Sequence, residues 1–377
     1  MSTRLKVLVT ADAVGGVWQY STELAGGLSR LGIETVIAVM GPCPSEAQLR
    51  AAALPGVELV DTGLALDWLA EDGGSLRKAG HAIRDLADAH GADIVQLNTP
   101  ALAAETAFRQ PVVAVQHSCV ATWWEAVQSS PLPDDFAWRT ALNRAGLHAA
   151  DAVVAPTAAF GEAVRRRYGL AQAPRTVHNG RTPLDLPAGA QHDFVFTAGR
   201  LWDEGKNLTT LDAAARGIGV PVRAAGPLSG PNGAKVIFDN IHCLGTLGEK
   251  ELGRWLAARP VFVSAALYEP FGLAVLEAAA AGCALILSDI PTFRELWEDV
   301  ALFVPARDQE GFTRAIAGLV GDDFERAAMG RAARDRAARY TPDAMAAQMA
   351  SVYRSLLPAI AGPVLASGGV GLGAAAA

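Results

Sequence analysis

The chain runs through one pattern twice: a short, continuous apolar run, a turn, then a stretch of helical composition. Leu5–Thr10, Thr35–Val39, Val57–Val60, Ile94–Leu97, Val112–Gln116 and Ala152–Ala155 are such runs in the first half. Phe194–Thr197, Val222–Ala225, Ile241–Leu244, Val261–Ser264, Ala284–Leu287 and Leu302–Val304 repeat the pattern in the second. A strand with one wet face alternates apolar and polar residues, whereas a continuous run fits a parallel strand covered on both faces. Parallel neighbours also need crossovers, and the helical stretches supply them. The sequence therefore predicts an α/β chain of two Rossmann-like, doubly wound domains facing across a cleft. A turn-rich, polar stretch from Thr176 to Ala190 sets the boundary. Residues 1–187 form the first domain and 188–340 the second. Thr341 and Pro342 suit the cap and first position of a last helix, 341–360, expected to pack back towards the first domain. The Gly- and Ala-rich stretch 361–377 is expected to be disordered.

Composition removes several classes of function. With 51% hydrophobic and 19% charged residues, the chain has material for two cores. A net charge of −7 argues against a chain-wide grip on nucleic acid. No apolar run reaches the roughly 18 residues of a membrane span, and Val7-Leu8-Val9 is too short for a signal-peptide core. A soluble, cytoplasmic protein is the expectation. Acidic residues outnumber basic ones over 1–187, so peripheral contact with an anionic membrane is not favoured. Arg165-Arg166-Arg167 reads as a solvated helix face. Cys43, Cys119, Cys243 and Cys283 lie far apart, without zinc or disulfide spacing.

Two stretches carry chemistry. The first runs from Ser264 to Ala278, strand to loop to helix, with Glu269-Pro270-Phe271-Gly272-Leu273 at the junction and Glu277 inside the helix. A helix start presents free N–H groups and the positive end of the dipole, which suits an anion such as a diphosphate. Glu269 and Glu277 cannot bind phosphate themselves. They suit hydroxyl groups, a sugar on one side and a ribose on the other. The second stretch, Thr197 to Asn207, puts Arg200 and Lys206 on a loop at the C-terminal edge of a strand. Two fixed cations there can neutralise a departing diphosphate. Gly15-Gly16, after the first strand, suits a close backbone approach to a ligand.

These residues, with Gly245-Thr246-Leu247 and Ser288 to Glu295, resemble the retaining glycosyltransferases of family 4, which have the two-domain GT-B fold. The resemblance runs over most of the chain and is densest from Gly199 to Val304. It implies that Arg200 and Lys206 contact the donor diphosphate, Glu269 the donor sugar and Glu277 the nucleotide ribose. It places the backbone of Phe271, Gly272 and Leu273 along sugar and phosphate, and Gly245 and Leu247 near the base. Gly15 and Gly16 would line the cleft from the acceptor-side domain. His117, at the end of its strand, would stand near the reacting carbon; the following Ser118 departs from the acidic or polar residue of some relatives. Trp18, Trp123 and Trp124 are candidates for the acceptor wall, with core packing the equal alternative.

The implied activity is metal-independent transfer of a hexose from a nucleotide-diphosphate sugar (UDP or GDP) to a sugar, glycoside or small-molecule hydroxyl. No metal and no cofactor are expected. Retention would come from front-face attack, since no carboxylate is a convincing nucleophile for a double displacement. Alternatives are a nucleotide-sugar epimerase of the same fold and a non-catalytic nucleotide-sugar-binding protein. A dinucleotide oxidoreductase fits less well, because Ala11-Asp12-Ala13-Val14-Gly15-Gly16 lacks the Gly-x-Gly-x-x-Gly pattern.

Overall fold

The computed structural model describes residues 4–187, 190–230 and 233–357. The stretch 361–377, expected to be disordered, lies outside them. The first sheet holds β1 (Lys6–Asp12), β2 (Glu34–Met40), β3 (Val57–Asp61), β4 (Ile94–Leu97), β5 (Val112–Val115), β6 (Ala152–Ala155) and β7 (Arg175–Thr176). The second holds β8 (Val195–Ala198), β9 (Val222–Ala225), β10 (His242–Cys243), β11 (Val261–Ser264), β12 (Ala284–Ser288) and β13 (Leu302–Val304). The strand orders are β3-β2-β1-β4-β5-β6-β7 and β10-β9-β8-β11-β12-β13, and the paired strands are all parallel. In each sheet the order reverses beside the first strand, between β1 and β4 and between β8 and β11. Ligands of open α/β sheets collect at such switch points, beyond the C-terminal strand ends. β7 had no apolar run to announce it. It pairs through its backbone alone, at Val154↔Arg175 and Ala155↔Thr176.

The apolar runs are what hold each half together. Val7, Val9, Ile94 and Val113 pack against Tyr20, Leu24 and Leu28 of the helix Gly16–Arg30. The same cluster takes Met345, Met349 and Tyr353 from the last helix, Pro342–Leu356. Burying a side chain of that size contributes about 1.5–3 kcal/mol, so the last helix belongs to the first core although it follows the second domain in sequence. Thr341 caps it by accepting from Ala344 N at 3.1 Å. The second core gathers Phe196, Phe262, Phe293 and Trp297 under the helix Leu273–Ala280.

The chain thus crosses between halves twice, at 180–181 and at 340–342, and the crossings touch: Arg181 N donates to Tyr340 O at 3.1 Å. A second set of polar contacts joins the halves. Trp123 Nε1 donates to Asp203 Oδ1 at 2.9 Å, and Thr157 Oγ1 to Pro270 O at 2.9 Å. The Glu295 carboxylate accepts from Ala158 N and Ala159 N, both at 2.8 Å, at the start of the helix Ala158–Tyr168. A carboxylate on those free N–H groups is favoured by the helix dipole.

Candidate active site

On the second domain, β8 ends at Ala198 and the chain turns at Gly199, whose φ of 149° favours glycine. A Cβ there would lie 3.4 Å from Lys206 Cε, so the missing side chain also leaves room for the lysine. Asn207 locks the following turn, donating from Nδ2 to Ala265 O at 2.8 Å and to Ala306 O at 2.7 Å. Lys206 is thereby fixed beside the loop that follows β11, where its ammonium pairs with Glu269 Oε2. The two side chains are only 17% and 16% exposed. Thr292 Oγ1 donates to Glu269 O at 2.7 Å and holds that loop.

The helix Leu273–Ala280 starts directly after Pro270, Phe271 and the capping Gly272. Gly272 has φ 91° and no side chain caps the helix, so its first N–H groups are free for an anion. Phe271 is 3% exposed and sits in the core; only its backbone can face the cleft. The Gly-Gly loop of the first domain comes over this helix start: a Cβ on Gly16 would lie 3.4 Å from Leu273 Cδ1, whereas one on Gly15 would meet nothing. Arg200 reaches further out, 54% exposed, and its Nη2 pairs with Asp203 Oδ2 at 3.0 Å. The cavity between Gly199, Lys206, Glu269 and Ala274 is about 10 Å³. The Lys206–Glu269 ion pair lies on its wall. Gly245, at φ 71°, accepts from Gly226 N at 2.7 Å, and Leu247 follows it in the turn before the helix Glu249–Ala257.

Glu277 is not free. Its Oε1 accepts from Arg181 Nε at 2.8 Å, and both side chains are about a tenth exposed, 9% and 10%. Arg181 also pairs with Glu23 of the first domain at 2.7 Å and with Glu249 at 2.5 Å. One guanidinium therefore joins the crossing segment, the first domain and two elements of the second. Burial raises the Glu277 pKa, and the Arg181 charge opposes that rise. Sequence reading took 176–190 as a boundary turn and missed this arginine. No local signal marks it, because its partners lie 158, 68 and 96 residues away.

On the first domain, His117 follows β5. Its Nε2 lies 3.1 Å from Asn98 Oδ1, and its ring meets Tyr20 edge-on at 4.4 Å. Asn98 Nδ2 donates to Thr10 O and Ser21 Oγ, so Oδ1 is the acceptor and His117 Nε2 the donor. Burial pushes the imidazole down to about 4, so it is neutral at pH 7. Two carboxyls of this domain that sequence reading did not single out lie close enough to interact. Asp12 accepts from Val14 N at 2.9 Å and Gly15 N at 3.2 Å. Burial raises its pKa; those two N–H groups oppose the rise, and the Arg200 charge across the cleft adds to them. Asp67 is pushed up to about 6 by burial, with the Asp12 charge adding to the rise.

The tryptophans distribute differently from the acceptor-wall expectation. Trp18 is 6% exposed and belongs to the core with Ile37 and Val39, so it forms no wall. Trp123 spends its N–H on Asp203 and ties the domains. Trp124 packs on Phe136 at 5.8 Å and donates to Ser130 O at 2.7 Å. Among the described residues no cluster of three or more His, Cys, Asp or Glu is placed to hold a metal ion. No described helix is long and apolar enough to cross a membrane.

Two parallel α/β domains, with a cationic loop, an uncapped helix start and a glycine loop opposite, define the class: a two-domain protein of the GT-B fold. The comparisons with known proteins place it further. Residues 14–183 match Glycosyltransferase Family 4 and residues 234–336 match Glycosyl transferases group 1. Both halves of the chain thus resemble glycosyltransferases, the first half those of family 4. It is 30% identical to the D-inositol 3-phosphate glycosyltransferase of Corynebacterium urealyticum over 48% of this chain and 47% of that protein. It is 36% identical to the phosphatidyl-myo-inositol mannosyltransferase of Mycolicibacterium smegmatis over 23% of each. The matched segments thus span less than half the length of these curated relatives. Sucrose-phosphate synthase (tll1590) from Thermosynechococcus elongatus superposes with a TM-score of 0.76 at 20% identity, covering 94% of this chain and 99% of that one. Anabaena Alr3699/HepE in complex with UDP-glucose gives 0.71 at 19% identity, covering 94% and 100%.

Proposed function

We propose that this chain is a retaining glycosyltransferase that moves a hexose from a nucleotide-diphosphate sugar to a hydroxyl of a sugar, glycoside or small molecule, without a metal. The observation that carries the reading is the Lys206–Glu269 pair at the uncapped start of the helix Leu273–Ala280. A donor would replace each half of that pair in kind. Its diphosphate would take Lys206, Arg200 and the free N–H groups, and its sugar hydroxyls would take Glu269.

Cleavage of the bond from the anomeric carbon to the phosphate oxygen leaves the electron pair on that oxygen. Positive charge grows on the sugar and negative charge on the diphosphate. Fixed cations and N–H groups stabilise the leaving group more in the transition state than in the ground state. Because they need no reorganisation, they can take the part a divalent ion plays elsewhere. The acceptor oxygen would bond to the anomeric carbon on the face the diphosphate leaves, passing its proton to the departing phosphate oxygen. His117, neutral and held by Asn98, puts no positive charge beside the growing oxocarbenium ion. Glu277, kept in place by Arg181, would accept the ribose hydroxyls.

The test is turnover with a panel of UDP-, GDP- and ADP-hexoses, with and without an acceptor, in the presence of a chelator. The expected result is acceptor-dependent release of a nucleoside diphosphate, chelator-resistant, with the anomeric configuration kept. Conversion of the donor's own sugar without acceptor would mark an epimerase. Strict need for added divalent metal would overturn the metal-free part.

A further inference from the structure

One cavity of the second domain lies away from the Lys206–Glu269 pair. It measures about 610 Å³, within the range of small-molecule sites, and lies between the helix Glu249–Ala257 and the start of β8 and β9. Phe194, Trp255, Leu247 and Ala258 give it apolar walls. Its polar groups are His192, Arg223, Arg254, Asp193 and Glu251.

Arg223 is built into this wall. Its guanidinium carbon lies 5.1 Å from the Phe194 ring centroid and 4.7 Å from that of Trp255, in the corner the two rings make at 77°. Trp255 is also stacked with Phe196 at 6.3 Å. Both rings are therefore engaged, and the guanidinium is held against them. Among the described residues no carboxylate pairs with Arg223 or Arg254. The acids nearby are spoken for. Asp193 pairs with Arg326 at 2.7 Å, and Glu251 accepts from Gly248 N at 3.2 Å in capping the helix. A half-buried arginine fixed against two rings, with its N–H groups uncommitted and a second arginine and a histidine on the same rim, is a preformed anion seat.

We propose that this cavity is a second, non-catalytic binding site for a phosphorylated sugar or polyol. The phosphate would lie on Arg223, Arg254 and His192. The hydroxyls would find the second lone pairs of Glu251 and Asp193, and the C–H groups would meet the edges of Phe194 and Trp255. Leu247 belongs both to this cavity and to the turn that the family resemblance sets beside the nucleotide base. A ligand here would thus press on the base turn from behind, which gives it a route to alter donor affinity.

The test uses glucose 6-phosphate as probe, with inorganic phosphate and glucose as separate arms, on the full chain and two variants. Arg223→Met keeps a stem over the rings and removes the charge; Lys206→Ala removes the cation of the catalytic cleft. Binding is read by thermal shift and by quenching of tryptophan fluorescence. The expected result is saturable binding of glucose 6-phosphate, weaker for either fragment alone. It should weaken about tenfold or more in R223M, the loss expected for a charge-assisted contact, and stay unchanged in K206A. R223M should release nucleoside diphosphate at the wild-type rate when the probe is absent. Binding lost in K206A and kept in R223M would place the anion in the cleft and overturn the proposal. Inorganic phosphate binding as tightly as the sugar phosphate would overturn its polyol part. Should R223M lose its thermal transition, Arg254→Met carries the same comparison.

Discussion

The two sides of the cleft are built by different means. On the second domain, Lys206 and Glu269 sit on loops that follow β8 and β11, neighbours in one sheet. Each side chain is fixed within a few residues of a strand end. On the first domain and at the crossing, the fixing is long-range: His117 depends on Asn98 and Tyr20, and Arg181 on three glutamates from three elements. One side is a pair of short motifs; the other exists only once the whole chain has folded. Changes on the first side should therefore cost rate, and changes on the second should cost stability as well.

Arg181→Ala tests that division most severely. Removing one partner from a buried ion network leaves the other charges unpaired, at a cost of about 3–5 kcal/mol. Chemical denaturation should show a loss of that order, with Arg181→Lys in between. A loss as small as that of an exposed pair would break the comparison. Lys206→Ala should lower kcat about 10²–10³-fold, as loss of one preorganised charge contact does, with a smaller loss of stability than Arg181→Ala because one pair is broken rather than three. Trp123→Phe should cost about 1 kcal/mol for its hydrogen bond to Asp203, measured by denaturation. An unchanged midpoint would show that this contact does not hold the domains.

A pH-dependent test concerns His117. The unfolded chain takes a proton near 6.5, whereas the folded chain refuses it until about 4. The unfolded state thus binds more protons across that window, and stability falls as pH falls through it. Melting curves of wild type and His117→Gln should draw together between pH 6.5 and 4. A constant gap would show that the ring is solvated. Activity should show no His117 limb between pH 6 and 8.

Much of the fold was legible because burial on both faces writes itself into continuous apolar runs; twelve of the strands announce themselves in this way. β7 does not, since Arg175–Thr176 pairs through its backbone. The Glu269 and Lys206 loops were legible because strand, turn and helix start are adjacent in sequence. Arg181 was not, because its partners are distant along the chain. Trp18 shows the opposite limit. A tryptophan beside a glycine loop reads equally as wall or core, and only the packing against Ile37 and Val39 decides for the core. Asp67 carries no motif at all; its raised pKa comes from burial that no local pattern reveals.

The central claim is that a donor diphosphate displaces Glu269 from Lys206 at the helix start. A crystal structure of the chain with UDP or GDP tests it directly. Phosphate oxygens should lie within hydrogen-bonding distance of Lys206 Nζ, Arg200 and the N–H groups following Gly272. A nucleotide seated elsewhere, with the Lys206–Glu269 pair intact, would contradict the account.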